Sequence, residues 1–191
     1  MKKHGKLLLK YLLLFVMTVF VMGCFSVSAA TKTGFVTQKG KTYYINKDGS
    51  KQKGWLELKG KKYYFNKKTG VQVKGWAKDS KGKRYFYNAN GAKGYMATGW
   101  LTDSKKNTRY FNPSTGYMTT KWATISNKKY YFYSGNGVAA KSTFLTDSKN
   151  VTRYFTSKCF MATGWATTST AKKRYFDPST GAMYTGFRKI G

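Results

Sequence analysis

The sequence predicts an all-β chain: a repeat β-solenoid of short β-hairpins behind an N-terminal signal segment whose apolar core would be helical. Three observations carry that expectation. A leading aromatic, usually in Gly-Trp, returns every 20 to 24 residues at Phe35, Trp55, Trp76, Trp100, Trp122, Phe144, Trp165 and Phe187. A second aromatic block follows each of the first seven, as in Tyr43-Tyr44-Ile45, Tyr63-Tyr64-Phe65, Tyr85-Phe86-Tyr87, Tyr110-Phe111, Tyr130-Tyr131-Phe132, Tyr154-Phe155 and Tyr175-Phe176. Aromatics make up 18% of the 191 residues, with 20 Gly and only two Pro, a mix that suits short strands joined by tight turns. A fixed period of this length means stacked supersecondary units, each too small to bury its own apolar faces.

Residues 1–30 read as a secretory signal. Lys2, Lys3, His4, Lys6 and Lys10 supply the positive end, residues 11–21 are apolar but for Thr18, and small residues precede cleavage after Ala29 or Ala30. Two alternatives stay open: an uncleaved anchor, and lipid attachment at Cys24 within Val21-Met22-Gly23-Cys24. Membrane contact is expected only through this leader. With Cys24 removed, Cys159 is a lone thiol, so no disulfide framework holds the chain. Cys159 precedes Phe160-Met161 as Gly116 precedes Tyr117-Met118, which makes it a drifted turn residue.

Residues 31–191 form the repeat region, divided as 34–53, 54–74, 75–98, 99–120, 121–142, 143–163 and 164–185, with a stub at 186–191. The stub looks like the start of an eighth unit, whose Phe187 would close the seventh. Trp55 to Leu58 is expected as one strand and Lys61 to Phe65 as its partner, turned by Lys59-Gly60. Counted from leading aromatic to triplet, hairpins starting at Phe35, Trp55 and Trp122 are short, those at Trp100, Phe144 and Trp165 are long, and that at Trp76 is intermediate. A second turn follows each hairpin, as in Asn46-Lys47-Asp48-Gly49, Asn88-Ala89-Asn90-Gly91, Asn112-Pro113-Ser114-Thr115-Gly116 and Asp177-Pro178-Ser179-Thr180-Gly181. Asn or Asp opens it through the side chain and Gly closes it. Met96, Met118, Met161 and Met183 come next and are expected to pack under the following hairpin. Strand alternation sends Tyr63 and Phe65 to one face and Tyr64 to the other, so neighbouring hairpins share aromatic seams.

The charge is one-sided, with 36 Lys and Arg against six Asp and Glu. Such a field draws polyanions: nucleic acid, anionic lipid or phosphate-rich wall polymers. Catalysis lacks its parts. His4 belongs to the leader, and Asp48, Glu57, Asp79, Asp103, Asp147 and Asp177 form no close pair. Asp79-Ser80, Asp103-Ser104 and Asp147-Ser148 recur as hairpin-turn caps, one carboxylate per repeat, too few oxygens for calcium. Neither zinc spacing nor a phosphate-cradling Gly loop occurs. The expectation is a protein that is not an enzyme and uses no cofactor or metal.

Gly-Trp, four or more residues, Gly-Lys-Lys-Tyr-Tyr-Phe-Asn, then Gly and often Met resembles the cell-wall-binding repeats shared by choline-binding modules, streptococcal glucan-binding domains and clostridial toxin repeats. The resemblance runs from residue 34 to 191 and implies a solenoid that binds surface polymers or glycans at the junctions between repeats. Members of the family commonly carry an enzyme beside the repeats, and residues 31–33 leave no space for one between leader and repeats. In the choline-binding branch the resemblance implies a cage made of the Gly-Trp ring, the first ring of a Trp-Tyr-Tyr triplet and a ring from the next repeat. Aligned on the paired Tyr, that first-ring place holds Thr42, Lys62, Arg84, Arg109, Lys129, Arg153 and Arg174. Six of the seven are cations, so this alignment disfavours choline and favours a glycan or an anionic polymer.

The residues expected to touch ligand are therefore Trp55, Lys62 and Tyr64; Trp76, Arg84 and Phe86; Trp100, Arg109 and Tyr110; Trp122, Lys129 and Tyr131; Arg153; and Trp165, Arg174 and Tyr175. The expected function is that of an exported, non-catalytic binding protein on a bacterial cell wall or surface, with cell-wall polysaccharide or a teichoic-acid-like polymer as partner. An adhesin for host glycans, choline-type teichoic acid binding and electrostatic nucleic-acid binding remain alternatives; no specific nucleic acid is expected.

Overall fold

The computed structural model describes residues 33–87 and 94–186. The leader, the turn at 88–91 and Phe187 with the rest of the stub lie outside them. The expected unit occurs as seven antiparallel hairpins, each its own two-stranded sheet. Hairpin 1 is β1 (Gly34–Gln38) with β2 (Lys41–Ile45), and hairpin 2 is β3 (Gly54–Leu58) with β4 (Lys61–Phe65). Hairpins 3 and 4 are β5 (Gly75–Lys78) with β6 (Arg84–Tyr87), and β7 (Gly99–Thr102) with β8 (Thr108–Phe111). Hairpin 5 pairs β9 (Lys121–Ile125) with β10 (Lys128–Phe132), and hairpin 6 pairs β11 (Thr143–Thr146) with β12 (Thr152–Phe155). Hairpin 7 closes the series with β13 (Gly164–Thr167) and β14 (Lys173–Phe176).

Hairpin length comes in two forms, not three. Hairpins 1, 2 and 5 turn on two residues, both left-handed: Lys59 at φ 50° with Gly60 at 71°, and Ser126 at 47° with Asn127 at 61°. A two-residue loop needs that twist to bring the strands back together. Hairpins 3, 4, 6 and 7 turn on five residues. Trp76 pairs with Phe86 just as Trp100 pairs with Tyr110, so hairpin 3 is a long form. Its intermediate length came from counting to Tyr85, which is the first ring of its triplet, whereas Tyr110 is the middle one.

The pairing fixes three places in every second strand. The middle ring faces the leading aromatic, as Tyr64 faces Trp55 and Tyr131 faces Trp122. The third ring faces the residue before it, as Phe65 faces Gly54 and Phe176 faces Gly164. These third rings are the core: Phe65, Phe111, Phe132, Phe155 and Phe176 are all at 0% exposure. The leading and middle rings of one hairpin lie against the first and third places of the next. Ring centroids are 5.1 Å apart for Phe35 and Tyr63, 4.9 Å for Trp100 and Tyr130, and 5.7 Å for Trp122 and Phe155.

A connector after each hairpin ties it to the one before. Gln72, Met96, Met118, Ala139, Met161 and Met183 donate backbone N–H to Thr42, Lys62, Arg84, Thr108, Lys129 and Thr152 carbonyls at 2.7–2.8 Å. The connector methionines then lie beneath the turn of the following repeat. A Cβ on Gly116 would run into Met96, one on Gly137 into Met118 and one on Gly181 into Met161. Gly116, at φ 72°, thus serves both the left-handed turn and the close approach. Cys159 takes the same turn place at φ 69° and is buried, so the drifted-turn reading holds.

Lys121 is the one Gly-Trp-type position where a side chain sits in the left-handed region, at φ 62°, directly before Trp122; Gly54, Gly75, Gly99 and Gly164 serve the others at 63–75°. A non-Gly residue there carries a steric cost of about 1–2 kcal/mol. Lys121→Gly is expected to raise unfolding free energy by about 1 kcal/mol after the entropy of the added Gly is set against it. Urea denaturation of the two proteins checks this, and a less stable variant would overturn it.

Candidate functional site

Trp55, Trp76, Trp100, Trp122 and Trp165 stay 42–58% exposed in a molecule whose other rings are mostly covered. Each stands on its cross-strand middle ring, with centroids 5.0 Å apart for Trp55 and Tyr64, 5.1 Å for Trp76 and Phe86, and 5.0 Å for Trp100 and Tyr110. Trp122 and Tyr131 are 5.4 Å apart and Trp165 and Tyr175 are 5.2 Å apart. The middle rings hold the Trp upright from behind and line none of the four creases described next.

Each crease is made by three successive repeats. Beside Trp55 a cavity of about 320 Å3 is lined by Leu56, Glu57 and Lys62 of the same hairpin, Met96 of the next connector and Thr115 of the turn beyond. Beside Trp76 one of about 380 Å3 has Ala77, Lys78 and Arg84, then Arg109, then Asn136. Trp100 fronts one of about 300 Å3 with Thr108, Tyr130, Lys141 and the turn residues Ser157, Lys158 and Cys159. The largest, about 510 Å3, joins Trp122, Ala123, Thr124 and Lys129 to Asp147, Arg153 and Met161 and then to Ser179 and Thr180. The expected pairs Trp55 with Lys62, Trp76 with Arg84 and Trp122 with Lys129 do share creases. Two of those cations also reach across two repeats: Arg84 Nη1 donates to the Gly135 carbonyl at 2.7 Å and Lys129 Nζ to that of Ser179 at 3.5 Å.

The alignment on paired tyrosines needs correction. Across the ladder Tyr63 faces Leu56 and Arg109 faces Leu101, while Lys62 faces Glu57 and Thr108 faces Thr102. The place before the paired rings, on the leading ring's own face, is therefore Thr42, Lys62, Arg84, Thr108, Lys129, Thr152 and Lys173. Arg109, Arg153 and Arg174 sit one residue later, on the opposite face, in register with Tyr43, Tyr63, Tyr85 and Tyr130. Four of the seven places, Lys62, Arg84, Lys129 and Lys173, carry a cation, not six.

Two kinds of junction follow. In the first, rings meet: Phe35 with Tyr63, Trp55 with Tyr85 at 6.1 Å, and Trp100 with Tyr130 at 4.9 Å. In the second, a guanidinium lies over the leading ring: Arg109 over Trp76 at 5.2 Å, Arg153 over Trp122 at 5.6 Å and Arg174 over Phe144 at 5.7 Å. Arg109 is pinned there by Asp103 at 2.9 Å and by the Asn136 carbonyl at 3.0 Å. Arg153 is held in the same way by Asp147 at 2.8 Å and the Thr180 carbonyl at 2.9 Å. Arg174 has no such acid, because Thr168 stands where the others have Asp; Trp165 carries Lys173 Nζ at 5.4 Å instead.

The aspartates are turn caps, as expected, and each does more. Asp79, Asp103 and Asp147 each accept two turn amides on Oδ1, and Asp103 and Asp147 turn Oδ2 to their arginine. The Arg109 guanidinium, then the Asn107 amide, holds the Asp103 carboxyl at about 2. Arg153 and the Val151 amide lower Asp147, and the Thr180 amide with the Tyr184 hydroxyl brings Asp177 to about 2. A carboxylate depressed by folding stabilises the native state above its ordinary value near 4 and loses that contribution as pH falls toward its folded value. The melting temperature is accordingly expected to be level above about pH 5 and to fall between about pH 4 and 2, more for wild type than for Asp103→Asn. Equal acid sensitivity of the two proteins would count against it. Burial raises the Cys159 thiol, which argues against a reactive nucleophile. No group of three or more metal-ligating side chains occurs among the described residues.

Comparison with known proteins matches this geometry. The choline-binding repeat profile covers residues 32–70, 57–93 and 145–186, more than half of the chain, and a cell wall binding repeat profile covers 120–139. No curated protein matches. Among solved structures, choline binding protein F from Streptococcus pneumoniae superposes with a TM-score of 0.69 at 29% identity, over 80% of this chain and 52% of that one. CbpJ from the same organism gives 0.68 at 27% identity over the same shares. Protein F crystallised with a peptidoglycan analogue, a tetrasaccharide-pentapeptide, gives 0.68 at 29%, again over 80% and 52%. The chain thus spans about half the length of these choline-binding proteins. By its repeats and its fold, it belongs to the choline-binding, cell-wall-binding repeat family.

Proposed function

We propose that this chain is an exported, non-catalytic wall-binding protein, and that its ring-to-ring junctions at Trp55/Tyr85 and Trp100/Tyr130 take a quaternary ammonium group such as the choline of a wall polymer. One observation carries the reading: a tyrosine of the next repeat stands against the leading ring at these junctions, Tyr85 beside Trp55 and Tyr130 beside Trp100. Ring faces attract a cation by about 0.5–2 kcal/mol each, more as water is excluded. Met96 adds an apolar wall to the Trp55 crease. Similarity to choline binding protein F, at a TM-score of 0.69, supports the assignment. Single sites of this kind are weak, and several on one solenoid facing a repetitive polymer raise retention by about 10²–10⁴ where spacing matches.

Choline titration followed by tryptophan fluorescence tests the reading, with Trp55→Ala and Trp100→Ala each expected to remove one site. Retention on choline-bearing walls is expected to be competed by free choline. Retention indifferent to choline, but competed by neutral wall glycan, would overturn choline recognition and leave the exposed Trp faces as sugar platforms.

A further inference from the structure

We propose that the Trp76 crease is an anion site that takes a phosphate ester of the wall polymer. It rests on the reading that the creases on either side hold that polymer. The cavity of about 380 Å3 is lined by Trp76, Ala77, Lys78, Arg84, Arg109 and Asn136. Three of these six side chains are cationic and none is a carboxylate. Asp103, the acid paired with Arg109, is already engaged by that guanidinium and by the Lys105 and Asn107 amides, and it does not line the cavity. The Lys78 ammonium has no charged or hydrogen-bonding partner among the described residues.

Both arginines are fixed from one edge. Arg109 donates Nε to the Asn136 carbonyl at 3.0 Å and Nη1 to Asp103 at 2.9 Å, with its plane over Trp76 at 5.2 Å. Arg84 donates Nη1 to the Gly135 carbonyl at 2.7 Å. Neither Nη2 has a partner among the described residues. Two guanidinium edges held in place beside an ammonium group suit the tetrahedral oxygens of a phosphate, since little side-chain freedom is left to lose. A quaternary ammonium is repelled from the same seat. The Trp122 crease looks alike but admits Asp147 to its lining, so its carboxylate opposes an anion there. A solenoid with ring-to-ring junctions on both sides of a crease lined by three cations fits a polymer whose repeating unit carries both charges.

The test follows the indole N–H resonance of Trp76, assigned with Trp76→Phe, in the full chain at constant ionic strength. Inorganic phosphate and a poly(glycerol phosphate) without choline are added in separate titrations, with chloride as the reference. A saturable shift at Trp76 is expected, tighter for the polymer, and Arg84→Gln is expected to weaken it about tenfold or more while the choline response at Trp100 is unchanged. A Trp76 signal moved no more by phosphate than by chloride in the wild-type chain would overturn the proposal, whatever the variant does. Tighter binding of inorganic phosphate than of the polymer would overturn the polymer assignment. Loss of the choline response with the phosphate response intact would instead strike the choline reading alone.

Discussion

Phe132→Ala is expected to destabilise the solenoid by about 3–5 kcal/mol, the range for deleting a fully buried aromatic side chain. Phe132 is at 0% exposure, lies 6.3 Å from Tyr130 and 5.9 Å from Trp100, and packs with Ala139 and Cys159. Its hairpin is the fifth of seven, so the cavity opens where both flanks depend on it. In a stacked repeat, stability is approximately the sum of each unit and its two neighbours' interfaces. A break in the middle therefore separates the chain into two shorter stacks, each with fewer interfaces. Phe176→Ala removes the same side chain at hairpin 7 and leaves six units joined. Urea denaturation is expected to show a broadened or two-step transition for Phe132→Ala and a single shifted one for Phe176→Ala. A loss below about 1 kcal/mol at Phe132 would mean that the third rings are not the core.

Much of this was legible in the order of residues. Strands were readable from the alternation in Gly54–Leu58 and Lys61–Phe65, and the solenoid from the return of Gly-Trp, because burial of a two-faced aromatic hairpin leaves stacking as its only outlet. Register was the failure. Tyrosine occupies both the first and the middle place in hairpins 1, 2 and 5, so an alignment on tyrosine pairs slides by one residue against hairpins 4, 6 and 7, which read Arg-Tyr-Phe. In a strand, one residue of slip exchanges the faces. A better anchor was present: the third place comes immediately before the second turn, as Ile45 before Asn46, Phe65 before Asn66, Phe111 before Asn112 and Phe176 before Asp177. Counting back from the turn puts Thr108, Thr152 and Lys173 in register with Lys62, Arg84 and Lys129, and Arg109, Arg153 and Arg174 in register with Tyr63, Tyr85 and Tyr130. Asn136, Ser179 and Thr180 were beyond reach, since they come from turns two repeats away and only the superhelical rise sets them against Trp76 and Trp122.

Arg109→Tyr is expected to convert the Trp76 crease into a choline site. In the wild-type chain the guanidinium over Trp76 occupies the seat a quaternary ammonium needs. A second cation about 5 Å away meets a repulsion of about 3 kcal/mol at an effective dielectric constant of 20, reduced by the paired Asp103 carboxylate. Tyrosine removes the nearest cation, leaving Lys78 and Arg84 much as lysines remain in the Trp55 and Trp100 creases, and presents a ring face, which adds about 0.5–2 kcal/mol of attraction. A net gain of about 2 kcal/mol corresponds to roughly 30-fold in affinity. The fold should tolerate the change, because Tyr85 and Tyr130 already fill the same register place in hairpins 3 and 5. Asp103 keeps its turn through the Lys105 and Asn107 amides, and its carboxyl is expected to rise toward its ordinary range once Arg109 is gone. Arg109→Gln separates the two contributions: relief of repulsion without a ring is expected to give a weak response, and tyrosine a strong one. The measurement is choline-dependent shift of the Trp76 indole resonance in folded protein. A folded Arg109→Tyr chain whose Trp76 ignores choline would show that a tyrosine at this register place is not what makes a crease accept a cation, and the assignment of the Trp55 and Trp100 creases would fall with it.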